Sequence, residues 1–337
     1  RRQRQMCIRD RFESTAHYAL NLELFLENAH HSFMEVNPVL IKEYKKSTTL
    51  RRTKTDSVDC ESIARWLITV EYKPHSKGFY HAYSLKSLTR LRDRLIRQRS
   101  FYLVKITNVL DHTFPEFKPF FNERLSKTAL YLLENYGSAE KMARMNSASY
   151  DKLRCISRGK FSIQQFLRLK ELASNTVGVN NSIFDLELNT LLTLYKSLSD
   201  EINTLETEII KLIEEVHPHY MSIPGIGPIS AAVIYAEYGD ISNFSNPGQM
   251  LAFAGIEPGI NDSGTESHGG RMVKHGSSQL RYVLLNACLP LIRFDLTFAT
   301  YYEKKRAEGK KHRVAITHVA KKPVSYTHLR AHETSLH

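Results

Sequence analysis

Two stretches of the chain carry side chains whose types and spacing could do chemistry. In TKTDSVDCESIA, Thr53 to Ala64, Asp56 and Asp59 stand three residues apart behind Arg51, Arg52 and Lys54. Residues three apart on a helix share a face, with about 5–6 Å between their Cβ atoms. Such a pair could ligate one hard cation such as Mg²⁺, which keeps waters and takes a few carboxylates plus phosphate oxygens. The plainer reading is that both are helix N-terminal acids, useful as caps and favourable against the macrodipole. The second stretch is a polar segment with glycines at 259, 264, 269, 270 and 276, serines at 263, 267, 277 and 278, and the cations Arg271, Lys274 and Arg281. A loop of this kind can approach a phosphate closely and hold a hydroxyl against it. A flexible surface connection would have the same composition. Ser277 and Ser278 precede the helical run QLRYVLLNAC and read as cap residues.

These residues need elements to hold them. From Phe12 to about Tyr72 a helical run at 17–28, a strand-like HSFMEV and a helical VLIKEYKK give an α/β rhythm. In DSVDCESIARWLITV, the positions of Val58, Ile63, Trp66, Leu67 and Val70 fit an amphipathic helix, so the two aspartates sit at a helix start. Ser84 to Leu110 reads as a long helix with Lys86, Arg90, Arg92, Arg94, Arg97, Arg99 and Lys105 against Asp93 alone. It could lie along a phosphate backbone or be a solvated face. Residues 114–181 are helical and polar, with no evident chemistry. Apolar residues at 188, 191, 195, 198, 202, 205, 209, 212 and 216 keep steps of three and four, a coiled-coil seam that pairs two copies or folds back on its own chain. In IPGIGPISAAVIYAEYGDISNF, Gly225 and Gly227 allow a tight turn with backbone N–H groups free for a phosphate, the signature of a helix-hairpin-helix over 223–244.

Composition bounds these readings. Hydrophobic residues are 42% and charged residues 24% of 337, as in globular proteins, and no window approaches the roughly 18 uncharged apolar residues of a membrane span. Cysteines at 7, 60, 155 and 288 form no C-x-x-C pair, which argues against a zinc site or disulfide scaffold and fits a reducing cytoplasm. The formal charge of +12 suggests a polyanionic partner such as nucleic acid. Residues 1–11 and 323–337 have neither helical nor strand periodicity and read as foreign, adapter-like segments, so the native chain is expected to run from about Phe12 to Lys322.

FESTAHY, VNPVLIKEYKKSTTLRRTKTDSVDCESIA, SIPGIGPISAAVIYAEYGDISNFSNPGQMLAFAGIEP, DSG and KHGSSQLRYVLL resemble, in order and spacing, the insertion-sequence one-ten family of DNA transposases. The resemblance implies a RuvC-like (RNase H-like) domain with an Asp-Glu-Asp-Asp set, here 12–180 and including the basic helix 84–110. It further implies a coiled coil at 185–217 and a mainly helical transposase domain at 218–322. The family's E-x-T-G-x-Y glutamate falls on Glu13 and its K-T-D-x-x-D-A acids on Asp56 and Asp59, with Ala16 and Cys60 as small departures. The first aspartate of the set, on a first strand, is expected upstream of Glu13.

By this resemblance Glu13, Asp56 and Asp59 would hold Mg²⁺ or Mn²⁺, and Ser263 in Asp262-Ser263-Gly264 would be the nucleophile, with Ser267, Ser277 and Ser278 as competitors. Nucleic-acid contacts are expected from Lys54, Arg90, Arg94, Arg97, Gly225, Gly227, Arg271, Lys274 and Arg281. Family likeness also implies an element-encoded guide RNA, homo-oligomers through 188–216, no membrane, and a bacterial or archaeal, nucleoid-associated setting. Two rivals stand beside this: a RuvC-type nuclease using water, and a non-catalytic nucleic-acid-binding protein, the second being what a chain lacking one metal ligand would resemble in practice.

Overall fold

A computed structural model describes residues 11–13, 17–36, 38–48, 55–70, 79–122, 125–239, 241, 244–263 and 266–334. The chain divides into two compact units, Arg1–Ala82 with Gly239–Ser245, and Tyr83–Tyr238 with Asn246–His337.

In the first unit β1 (Arg11–Glu13) and β2 (Met34–Val36) pair in parallel, with Glu13 opposite Val36. A parallel pair needs a crossover, and α1 (His17–Asn28) supplies it. Helix α2 (Pro38–Thr48) starts on Pro38, whose missing N–H costs nothing at a helix start, and α3 (Asp56–Thr69) follows. Val36, Ile41 and Trp66 form the core of this layer, with Met34, Tyr44, Ile63 and Val70 packed around them. The α/β rhythm read over 12–72 is therefore present as one short parallel pair and its helices.

The second unit is almost wholly helical. Helix α4 (Phe79–Thr113) leads into α5 (Phe117–Phe120), α6 (Lys127–Tyr136), α7 (Ala139–Ala143), α8 (Ser147–Ile156), α9 (Ile163–Ser174) and α10 (Ser182–Val216). The end of α4, the short helices and the start of α10 share a core that includes Ile106, Leu110, Phe117, Leu132, Met142, Leu169 and Leu188. This core explains why 114–181 offered no chemistry: its apolar positions are used in packing.

Helix α10 carries the predicted seam, and much of the seam is covered within the chain. Leu188, Ile202 and Ile209 are buried, as is Ile213 beside the seam, Leu191 and Tyr195 pack on the lobe core, and the helix lies against α11 (Pro228–Tyr238). Of the two readings of the heptads, folding back on the same chain describes these positions. Ile183, Leu186, Leu194 and Val216 remain exposed.

After α11 come α12 (Pro247–Ala254), an antiparallel hairpin of β3 (Pro258–Ser263) and β4 (Glu266–Met272), and then α13 (Ser278–Phe294), α14 (Leu296–Ala307) and α15 (His312–Thr334). The hairpin replaces the predicted flexible loop. Arg11, placed in the foreign segment, opens β1, and α15 crosses the boundary drawn at Lys322 with Val324 buried. Among the described residues no single helix is long and apolar enough to cross a membrane.

Candidate functional site

The acid half belongs to the first unit. Glu13 is the last residue of β1, at the carboxyl end of a parallel pair, where open α/β sheets gather their ligands. Asp56 and Asp59 occupy the first turn of α3. The cap of this helix is Thr55, in extended conformation, whose hydroxyl accepts the Val58 N–H at 3.4 Å. Capping is thus done by the threonine. By helical register 56, 59, 63 and 66 share one side of α3, and its later members Ile63 and Trp66 belong to the core of this layer. The outer face of α3 holds a different pair, Glu61 and Arg65, joined at 2.6 Å and well exposed. The side chains of Glu13, Asp56 and Asp59, and all of Lys54, lie outside the described residues. By chemistry three carboxylates are a hard oxygen donor set that fits Mg²⁺ or Mn²⁺. Among the described residues no group of three His, Cys, Asp or Glu is placed to hold a metal.

The serine half belongs to the second unit. Ser263 ends β3 and pairs with Glu266 at the start of β4, while Asp262 faces Ser267 and Asn261 faces His268. The pairing slips between Pro258 and Ile260, a bulge that sharpens the local twist. Sequence reasoning missed the hairpin because its strands are built from Gly, Ser, Asn and Asp and lack alternating apolar residues. Its one signal was the turn-forming run Asp-Ser-Gly-Thr between two segments able to pair. Ser277 caps α13 by accepting the Leu280 N–H at 3.2 Å, as read from the sequence, whereas Ser278 is the first residue of the helix and not its cap. Lys274 is exposed on the segment between β4 and α13, and Arg271 lies in β4. Arg281 faces inward: its Nη1 donates to the Ala254 carbonyl at 3.1 Å, at the end of α12, where a cation complements the helix dipole. Cys288 is buried, its Sγ donates to the Leu284 carbonyl, and burial pushes the thiol up to about 12, so it is no nucleophile at neutral pH.

The P-G-I-G stretch forms a tight turn in which the Ile226 N–H donates to the Ile223 carbonyl at 3.0 Å, with Gly225 at φ +91°. Pro then Gly at the centre of such a turn is the type II pattern. A Cβ on Gly225 would lie 2.7 Å from the Ala287 carbonyl oxygen of α13, whereas one on Gly227 would meet open space. Gly225 is therefore demanded by close packing on α13, and Gly227 alone of the two keeps an open approach to the start of α11.

The basic helix α4 divides as well. Arg90 makes two bonds to Glu237 of α11, Nε to Oε1 at 2.9 Å and Nη2 to Oε2 at 3.1 Å, and Lys86 lies 3.9 Å from the same carboxylate, whose side chain is only 1% exposed. Arg92 bonds Glu206 of α10 through Nε at 2.7 Å, and Arg97 bonds Asp93 at 2.9 Å. A buried carboxylate must have cations beside it. Arg90, expected to touch nucleic acid, is thus held on Glu237, and Arg94 is the exposed member of the predicted set without such a tether. Sequence could not reveal Glu237 as the counter-ion, since it stands 147 residues away.

Two family models match the chain. One, described as a transposase and named for a DEDD domain, covers residues 2–115; the other, Transposase IS116/IS110/IS902 family, covers 218–303. Three relatives align over most of this chain. The uncharacterized 43.6 kDa protein of insertion element IS110 from Streptomyces coelicolor is 28% identical over 66% of this chain and 56% of its own length. The transposase for insertion sequence element IS1111A from Coxiella burnetii is 25% identical over 77% and 59%. The uncharacterized 42 kDa protein of insertion element IS900 from Mycobacterium paratuberculosis is 27% identical over 80% and 69%. The alignments with the first two thus span less than two thirds of those relatives' lengths.

Proposed function

Since this chain belongs to the IS116/IS110/IS902 family of insertion-sequence transposases, we propose that the intact protein cuts and rejoins DNA through a four-carboxylate metal site and a serine nucleophile. The observation that carries the metal half is the position of Asp56 and Asp59: on the stripe that continues into the core, with capping already done by Thr55. Glu13, Asp56, Asp59 and an aspartate upstream of Glu13 would hold the cation in a RuvC-like sheet. When bound, it supplies Lewis-acid polarisation of the phosphate.

Ser263 is the proposed nucleophile. Its Oγ forms a bond to the scissile phosphorus as the bond to the leaving deoxyribose oxygen breaks, and the serine proton ends on that oxygen. Arg271 and Lys274 are positioned in sequence to stabilise the added charge on the phosphoryl group. Contacts to DNA, and to an element-encoded guide RNA, fall to Arg94 on α4 and to the open side of Gly227 in a helix-hairpin-helix. Self-association through 188–216 would have to use apolar positions that the fold leaves at the surface, Leu194 and Val216 among them.

Strand transfer on DNA carrying element ends is the test, with a chain that includes the upstream aspartate. Ser263→Ala is expected to abolish the covalent protein–DNA adduct and strand transfer while duplex binding stays unchanged. Asp56→Asn and Asp59→Asn are each expected to lower activity at least about a hundredfold. Full activity in Ser263→Ala would remove the serine mechanism and leave the water-using nuclease as the better reading.

A further inference from the structure

The turn between α14 and α15 reads Lys304-Lys305-Arg306-Ala307-Glu308-Gly309-Lys310-Lys311-His312-Arg313, six cations against one acid. It lies beyond the residues matched by the family model, which ends at 303. Gly309, at φ +79°, reverses the chain and brings the last turn of α14 beside the first turn of α15. Three bonds hold this geometry: Lys305 Nζ to Glu308 at 2.8 Å, Arg306 Nη1 to the Lys310 carbonyl at 2.7 Å, and Tyr302 Oη with His312 Nδ1 at 2.7 Å. Beneath them Cys288, Val319 and Ala320 form a buried cluster with Phe298, Tyr301 and Tyr302 against it, so the turn rests on a packed base. Lys322 joins from the next turns of α15, its Nζ 5.2 Å from the Tyr301 ring centre, with Lys305 at 5.6 Å from the same ring.

Lys304, Lys310, Lys311, Arg313 and Lys322 are exposed around this turn. His318, on α15, is held below its usual range first by burial and then by Lys321, Lys305 and Lys310. A single-sign patch of this density repels itself and gains stability when a polyanion neutralises it. Its exposed ring is the His312 imidazole, which is tied through Nδ1 to the Tyr302 hydroxyl, and Tyr301 and Tyr302 are half-buried and engaged as described. It therefore lacks the stacking platform by which single strands are held. What remains matches a duplex, with one phosphate per about 1.7 Å of axis.

We propose that the α14–α15 turn is a sequence-independent docking surface for the phosphate backbone of duplex DNA, separate from the acid and serine sites. Its choice of DNA rests on the transposase reading, but binding is measured without strand transfer, so the two can fail separately. The test is anisotropy titration of the full chain with labelled duplex DNA of arbitrary sequence and with duplex RNA of the same sequence, over a range of salt. In Lys310→Ala/Lys311→Ala/Arg313→Ala, affinity for duplex DNA is expected to fall at least about tenfold and the slope of log affinity against log salt by about 2.7. Lys152→Ala/Arg154→Ala/Lys160→Ala removes equal charge around α8 and is expected to change affinity less than about twofold. Lys310→Arg/Lys311→Arg/Arg313→Lys keeps the charge and is expected to bind as the wild type. Equal losses in the two alanine triples, an unchanged salt slope, failure of the charge-conserving variant to bind, or tighter binding of duplex RNA would each overturn the assignment.

Discussion

Helix α4 and the α14–α15 turn are both dense in Lys and Arg, yet they use that charge in opposite ways. On α4, Arg90, Arg92 and Arg97 are tied to Glu237, Glu206 and Asp93, and two of those acids come from other helices. At the turn, Lys305 is paired with Glu308, and Lys304, Lys310, Lys311 and Arg313 are exposed. The lesson is that clustered positive charge does not mark a partner surface by itself. What decides is whether the fold brings acids to it, and the sequence does not display acids that arrive from 114 or 147 residues away.

The comparison can be broken most strongly at Glu237. Glu237→Ala leaves Arg90 and Lys86 facing an emptied, apolar site, and stability to urea is expected to fall by about 2–3 kcal/mol, the low end for a broken buried pair because Arg90 is half exposed. No loss of stability would mean that the α4 cations are as free for a partner as those of the turn. Gly225→Ala should cost somewhat less, about 2 kcal/mol, through a left-handed φ and a clash with the Ala287 carbonyl. It sharpens the same contrast: a loss in thermal stability with unchanged DNA affinity would assign Gly225 to packing, and a loss of affinity at full stability would return it to binding. The smallest effect belongs to α3. Thr55→Ala removes the cap and is expected to cost about 1 kcal/mol in denaturation, while Asp56→Asn is expected to change stability by less than about 0.5 kcal/mol. Equal costs would put Asp56 back among the capping residues.

Much of the acid side was legible in sequence. The helix start at Asp56, the amphipathic run through Trp66 and the strand at Met34–Val36 all appear where local pattern put them, because apolar spacing and a capping threonine act over one or two turns. The heptads of α10 were legible as periodicity, but not their partner, since the same stripe fits a second copy or a helix of the same chain. The β3–β4 hairpin was illegible: glycine-rich strands pair through backbone groups, which every residue carries, and so leave little side-chain signal.

The sequence by itself determined that this chain is helical and basic, that Asp56 and Asp59 share the start of a helix, and that it resembles the transposases whose family models it matches. Tertiary structure alone decided which charges are neutralised, which apolar stripe is covered, and why Gly225 must be glycine. Local spacing sets which face of an element a residue occupies. Only the packed fold sets what lies opposite that face, and the energy of a charge or a Cβ depends on what it meets there.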